Sequence, residues 1–123
     1  MIRPLEIKDL TEINKWRATR DLVPLKEEEL PRFGVIAPEL AACMLVTTDS
    51  NCAFIEGLIA NKEAPKDRRR EALKEVIKAC IDRAHALGFT EILFLSDHPS
   101  VTRWGNQFGF TFLKQYNLFK KGI

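Results

Sequence analysis

The sequence predicts one α/β domain, residues 1–123, with a mixed central sheet of six to seven strands and helices on both faces. Three observations carry this expectation. Leu40–Thr48 and Cys52–Asn61 are apolar runs separated by the turn cluster Asp49-Ser50-Asn51, which makes them a hairpin. A helix from about Asp67 to Leu87 follows, with Leu73, Val76, Ile77, Cys80, Ala84 and Leu87 in one apolar stripe. Beyond it Phe89–Leu95 is another apolar strand. A strand reached through a helical crossover lies parallel to the strand before the crossover, so Cys52–Asn61 and Phe89–Leu95 are expected side by side and parallel.

The remaining elements follow in chain order. Ile2–Ile7 reads as a short first strand, and Asp9 as the cap of a helix reaching about Arg20, with Leu10, Ile13 and Trp16 or Arg17 at helical spacing. Leu25–Leu30 has room for one helical turn between Pro24 and Pro31. Phe33–Ala37 is a strand that Pro38 ends. Leu40–Thr48 is rich in apolar and β-branched residues, as in a strand buried on both faces. In Cys52–Asn61, Glu56 is the only ionisable residue, and Gly57 marks a bulge or a close backbone approach. Gly88 ends the long helix. A short helix from about Pro99 to Phe108 and a last strand or bent pair at Phe110–Phe119 complete the order.

Composition narrows the function classes. The net charge is +2, so the basic run at Arg68-Arg69-Arg70 is local, which argues against a dedicated nucleic-acid binder. The three cysteines have no metal-ligand spacing, and Cys43 and Cys80 lie in apolar patterns as small buried hydrophobes. That usage suits a reducing compartment, and no apolar run reaches the length of a membrane span. The expectation is a cytoplasmic protein with no metal and no membrane partner.

Arg68, Arg69 and Arg70 fall in the first turn of the long helix, where free N–H groups already favour anions. Cations concentrated at such an end, after a strand, suit a bound polyanion. A solvated basic turn capped by Asp67 is the competing reading. Ser96-Asp97-His98 is too compact in sequence to converge as a hydrolytic triad, and Ser96 or Asp97 serves more simply as a helix cap. Glu27-Glu28-Glu29 is either an acidic rim that attracts a cationic amine or a solvated turn with acids near its N-terminus.

At this point the chain resembles the GNAT superfamily of acyl-CoA N-acyltransferases over nearly its full length. The carriers are Ile2-Arg3-Pro4 with Asp9-Leu10, the run Ala84-His85-Ala86-Leu87-Gly88-Phe89-Thr90-Glu91-Ile92-Leu93-Phe94-Leu95, and Gly109-Phe110. The resemblance implies a GNAT-like fold and acetyl-CoA as co-substrate. It places the pyrophosphate loop on Asp67–Ala72, where only the final small residue fits the pattern Gln/Arg-x-x-Gly-x-Gly/Ala. The cofactor-binding residues so implied are Ile59, Asn61, Arg68, Arg69, Arg70, Glu71, Ala72 and His98. Arginine forks would supply anion binding in place of the glycine.

Where many relatives carry a proton-donating tyrosine, this chain has Gly105, so His98, Ser96, Tyr116 or water would protonate the leaving thiolate. Glu56 lies near the position of the family's general base, and catalytic roles are implied for Glu56 and His98. The competing reading of Glu56 is a carboxylate on an exposed strand face. The leading function is transfer of an acetyl group from acetyl-CoA to a primary amine, on a small molecule or on a protein lysine or N-terminus. The alternative is a binding or regulatory protein on the same fold with reduced or lost catalysis. An exposed edge at Phe110–Phe119 offers a surface for a homodimer.

Overall fold

The computed structural model describes residues 1–94, 105–111 and 119–122. Its strands are β1 (Arg3–Pro4), β2 (Phe33–Ala37), β3 (Ala41–Thr47), β4 (Cys52–Ala60) and β5 (Glu91–Phe94), and its two long helices are α1 (Leu10–Ala18) and α2 (Lys66–Ala86). The sheet order is β1-β2-β3-β4-β5, antiparallel up to β4. The last pair, β4 with β5, is parallel, from Cys52↔Glu91 to Ile55↔Phe94. The crossover through α2 therefore produces the parallel neighbours that the apolar runs predict.

Six to seven strands were expected, and the described residues form five. Most of the strand expected at Phe110–Phe119 lies outside the described residues, as does most of the helix expected at Pro99–Phe108. Any homodimer edge there lies outside them too. Among the described residues no helix is long and apolar enough to cross a membrane, and no group of His, Cys, Asp or Glu could hold a metal ion.

Helices cover both faces of the sheet. On one, α2 sets Leu73, Val76, Ile77, Cys80 and Ala84 against Ala41, Cys43, Leu45, Ala53 and Ile55. On the other, Ile13 and Trp16 of α1 meet Ile36, Ala42 and Ile59. Strand alternation divides the two cores: in β3, Ala41 and Cys43 face α2 while Ala42 between them faces α1. Each fully buried Ile or Leu removed from water in this way stabilises the fold by about 1.5–3 kcal/mol.

The end of α2 comes slightly earlier than its stripe suggests. Leu87 follows the last helical residue and is exposed, and Gly88 turns the chain at φ +91°. At the other terminus Asp67 is not the cap; Pro65 holds that position with no side-chain bond.

Asp9 also differs from its expected role. It makes no cap bond to α1 but sits buried and takes both arms of Arg3, at 2.9 and 2.7 Å. The Glu6 N–H donates to the same carboxylate at 2.8 Å. These bonds, that from Arg3 first, hold the Asp9 carboxyl below the usual carboxylate range although burial works the other way. A strand of two residues is thereby anchored to the start of α1 by a charge-assisted fork.

Candidate active site

β4 is the spine of the site. Parallel pairing with β5 is described to Ile55, and Glu56 comes next. On the β3 side Glu56 stands opposite Met44, after which the register shifts. The cause is Gly57, a bulge residue at φ +64°. Its backbone conformation favours glycine, and a Cβ there would stand 3.1 Å from the Met44 sulfur, so the Met44 side chain would have to give by a few tenths of an ångström.

The bulge changes which residues face α2. Before it these are Ala53 and Ile55, and after it Leu58 and Ala60. Glu56 and Ile59, two residues inside a simple alternation would not align, both fall on the α1 side of the sheet. Ile59 is buried there under α1, so its side chain is core and only its backbone can face a ligand. Glu56 is exposed, and among the described residues its carboxylate forms no ion pair. The structure leaves a solvent-accessible carboxylate in the middle of the strand.

At the carboxyl end of β4 the chain turns through residues 61–65 into α2. Asn61 organises this turn. Its amide donates to the Glu39 carbonyl at 2.9 Å, and its carbonyl oxygen accepts the Glu63 N–H at 3.0 Å. Both ends of a side chain implied as cofactor-binding are thus committed to the loop.

The first helical bond at the N-terminus of α2 is Arg69 N–H to the Pro65 carbonyl, 2.9 Å. The N–H groups of Lys66, Asp67 and Arg68 therefore have no partner inside the helix. Those of Arg70, Glu71 and Ala72 lie within it and are taken up by the helical ladder. With no glycine to interrupt it, the segment expected as a phosphate loop is helix from Lys66 onward.

The three arginines do not act alike. Successive helical residues point about 100° apart, so their guanidinium groups cannot all converge on one anion. Arg69 is half-buried and donates to the Lys62 carbonyl at 2.8 Å. Arg68 and Arg70 are exposed beside Glu71, and Ala72 is buried in the core. A pyrophosphate at this end would meet the free N–H groups of Lys66–Arg68 and one of the two exposed guanidinium groups, since Arg68 and Arg70 lie about 200° apart around the helix.

Glu56 lies four residues before the end of β4, about 13 Å along the strand at roughly 3.3 Å per residue. The two halves of the site share one strand. His98, Ser96 and Tyr116 lie outside the described residues. Gly105 is half-buried and accepts the Phe110 N–H at 2.8 Å, which folds Phe110 back so that its ring meets Phe94 edge-on at 5.9 Å.

Glu27 and Glu28 border a cleft of about 490 Å3 with Leu5, Ile7, Leu30 and Pro31. This cleft lies at the β1 edge, three strands from β4 in the sheet order. Sequence reading also missed a second cleft, walled by Arg32, Phe33 and Arg83. Residues so distant in the chain carry no joint signal until β2 and α2 pack together.

No family model matches the chain, and no curated protein is significantly similar to it. Solved structures do match. A putative acetyltransferase from Agrobacterium tumefaciens superposes with a TM-score of 0.74 at 17% identity, covering 98% of this chain and 99% of that one. N-acetylglutamate synthase from Neisseria gonorrhoeae, solved with coenzyme A and L-arginine, gives 0.73 at 19%, over 93% of this chain and 28% of that one. A Mycobacterium tuberculosis protein in complex with CoA gives 0.75 at 14%, over 97% and 76%. At such identities the likeness is one of fold, and the fold is that of the GNAT acetyltransferases.

Proposed function

We propose that this chain is an N-acetyltransferase that moves an acetyl group from acetyl-CoA to a primary amine. The observation that supports it best is the exposed Glu56 carboxylate, set beside a bulge on the strand that leads to the anion-favouring end of α2. Two structures with this fold contain CoA.

In the proposed reaction the amine reaches the thioester as a free base. Glu56 takes its proton, directly or through one water, as nitrogen attacks the acetyl carbonyl. The C–S bond then breaks and the thiolate is protonated as CoA leaves. Gly105 cannot donate that proton, so water or one of His98, Ser96 and Tyr116 is the proposed source. The N-terminus of α2, with Arg68 or Arg70, is the proposed seat of the pyrophosphate. Ile59 contributes through its backbone, and Asn61 and Arg69 by shaping the loop.

The acceptor class is a small amine or a protein lysine or N-terminus, with no nucleic acid involved. The three free cysteines fit a cytoplasmic setting. A second reading, a binding protein that keeps CoA but not catalysis, is favoured by one observation, the absence of an acid at Gly105.

Calorimetric titration with acetyl-CoA, followed by a screen of amines and lysine peptides, separates these readings. Transfer that Glu56→Gln slows at neutral pH, with recovery as rising pH deprotonates the amine, supports the first. Binding without transfer to any acceptor supports the second. Absence of acetyl-CoA binding by the wild type overturns both. Alanine at Arg68 and Arg70 should weaken binding, and rising salt should weaken it in the wild type.

A further inference from the structure

The second cleft, about 350 Å3, opens between α2 and the edge of the sheet where the two-residue β1 meets β2. Its floor is apolar, formed by Val35 and Leu45 of the sheet with Ala79 and Cys80 of α2. The charged residues that line it are three arginines, and among the described residues no carboxylate does. Arg3 is committed to Asp9 through its fork. Arg83 and Arg32 are exposed at the Phe33 ring, their guanidinium carbons 4.7 and 5.9 Å from its centre. Among the described residues neither has a carboxylate within ion-pair distance, and Asp82, next to Arg83 in the chain, is paired with Lys78 at 2.7 Å. Two like charges thus meet on one ring above an apolar floor. A guanidinium held on an aromatic face keeps its N–H edge free for an acceptor.

We propose that this cleft binds a small carboxylate carried on a compact apolar body, an aryl or branched alkyl group. The carboxylate accepts N–H bonds from Arg83 and Arg32 at the rim, and the body covers Val35, Ala79 and Cys80. Each half of such a ligand answers one half of the cleft. A compact polyanion would leave the floor uncovered, and a neutral hydrocarbon would leave two cations facing each other without a counter-charge. The planar guanidinium fork matches a carboxylate in particular, and the volume is that of a small-molecule site. Arg83 stands in the last turn of α2, about 22 Å along the axis from Arg68 at 1.5 Å per residue. The site is therefore separate from the proposed seat of the pyrophosphate and does not depend on acetyl transfer.

The test is an amide NMR titration of the full chain with hydrocinnamate, a carboxylate on a phenyl body. The resonances of Gly34, Val35 and Cys80 should shift and saturate together. Hydrocinnamamide, of the same shape without the charge, should bind at least roughly tenfold more weakly at low salt, and so should acetate, which has the head without the body. Arg32→Gln with Arg83→Gln keeps the length of both side chains and removes their charge, and it should bring hydrocinnamate down to the level of the amide. Ala79→Leu fills part of the floor and should weaken both phenyl compounds. The proposal is overturned by equal affinity for hydrocinnamate and its amide, or by unchanged hydrocinnamate affinity in the double variant. Shifts confined to residues away from the cleft, or no saturable binding at millimolar hydrocinnamate, also overturn it.

Discussion

The two faces of the sheet are covered very differently. The α2 face packs a helix of 21 residues along β2, β3 and β4, and from Ala72 to Ala84 its inward positions are sealed. The α1 face is covered by a helix of nine residues, whose Ile13 and Trp16 close over Ile36, Ala42 and Ile59. Glu56 lies on that second face and is still exposed. The well-covered face holds the strands in register, and the thinly covered face leaves a carboxylate open to solvent without the cost of burying charge.

Cavity-forming substitutions give the largest test of that contrast. Ile55→Ala under α2 should destabilise the chain by about 3–5 kcal/mol, because densely packed surroundings cannot collapse into the void. Ile13→Ala under α1 should cost less, about 2–3 kcal/mol, since a short helix can shift to fill the space. Urea denaturation measures both, and equal losses would remove the distinction between the faces.

Gly57→Val comes next. It forces a β-branched residue into left-handed backbone and against Met44, at a cost of about 1–3 kcal/mol. Because the bulge keeps Glu56 and Ile59 on one face, this variant should lose the proposed acetyl transfer even under conditions where it remains folded. Circular dichroism beside the transfer assay would show the two effects apart, and a folded, fully active Gly57→Val would mean that the bulge does not aim Glu56.

A smaller effect is expected at Asp9. Its native pKa is held below the ordinary value, so its contribution is full above the unfolded pKa, near pH 4, and is lost as pH falls through the native one. Asp9→Asn should lower stability at pH 7 by about 1–3 kcal/mol, and the gap to wild type should close as the solution is acidified. Thermal melts across that range test it; a gap that persists below the native pKa would assign the loss to packing instead of charge.

The smallest expected change is at Glu56. Exposed and without an ion pair among the described residues, it should tolerate Glu56→Gln within about 0.5 kcal/mol. A large loss of stability there would make it a structural residue and weaken its assignment as base.

Much of this arrangement was legible in the chain. Phe33–Ala37 has its expected bounds, and the hairpin and the long helix differ only at their ends, because apolar periodicity and turn residues are local signals. The first strand was over-read: Ile2–Ile7 is apolar enough for a strand, but pairing with β2 is confined to Arg3 and Pro4 before the Ile7–Asp9 turn. The site was legible to a lesser degree. Glu56 stood out as the one charge in an apolar run, and Gly57 beside it as a bulge or a close backbone approach. That Asn61 and Arg69 hold the loop was hidden, since their partners Glu39 and Lys62 are backbone carbonyls, which any residue supplies.

By itself the sequence determined the parallel β4–β5 pair. An amphipathic helix between two apolar strands has one favourable way to bury its stripe, and right-handed crossover then sets the strand direction. It also determined that cations gather at the start of α2, because order along the chain is enough to say so. Tertiary structure alone decided which of those cations are available, which face carries Glu56, and that Arg32, Phe33 and Arg83 wall one cleft. These depend on the helical phase of α2, on one extra residue in β4, and on the packing of β2 against a distant turn of helix. Such quantities become defined only when separate elements share a core.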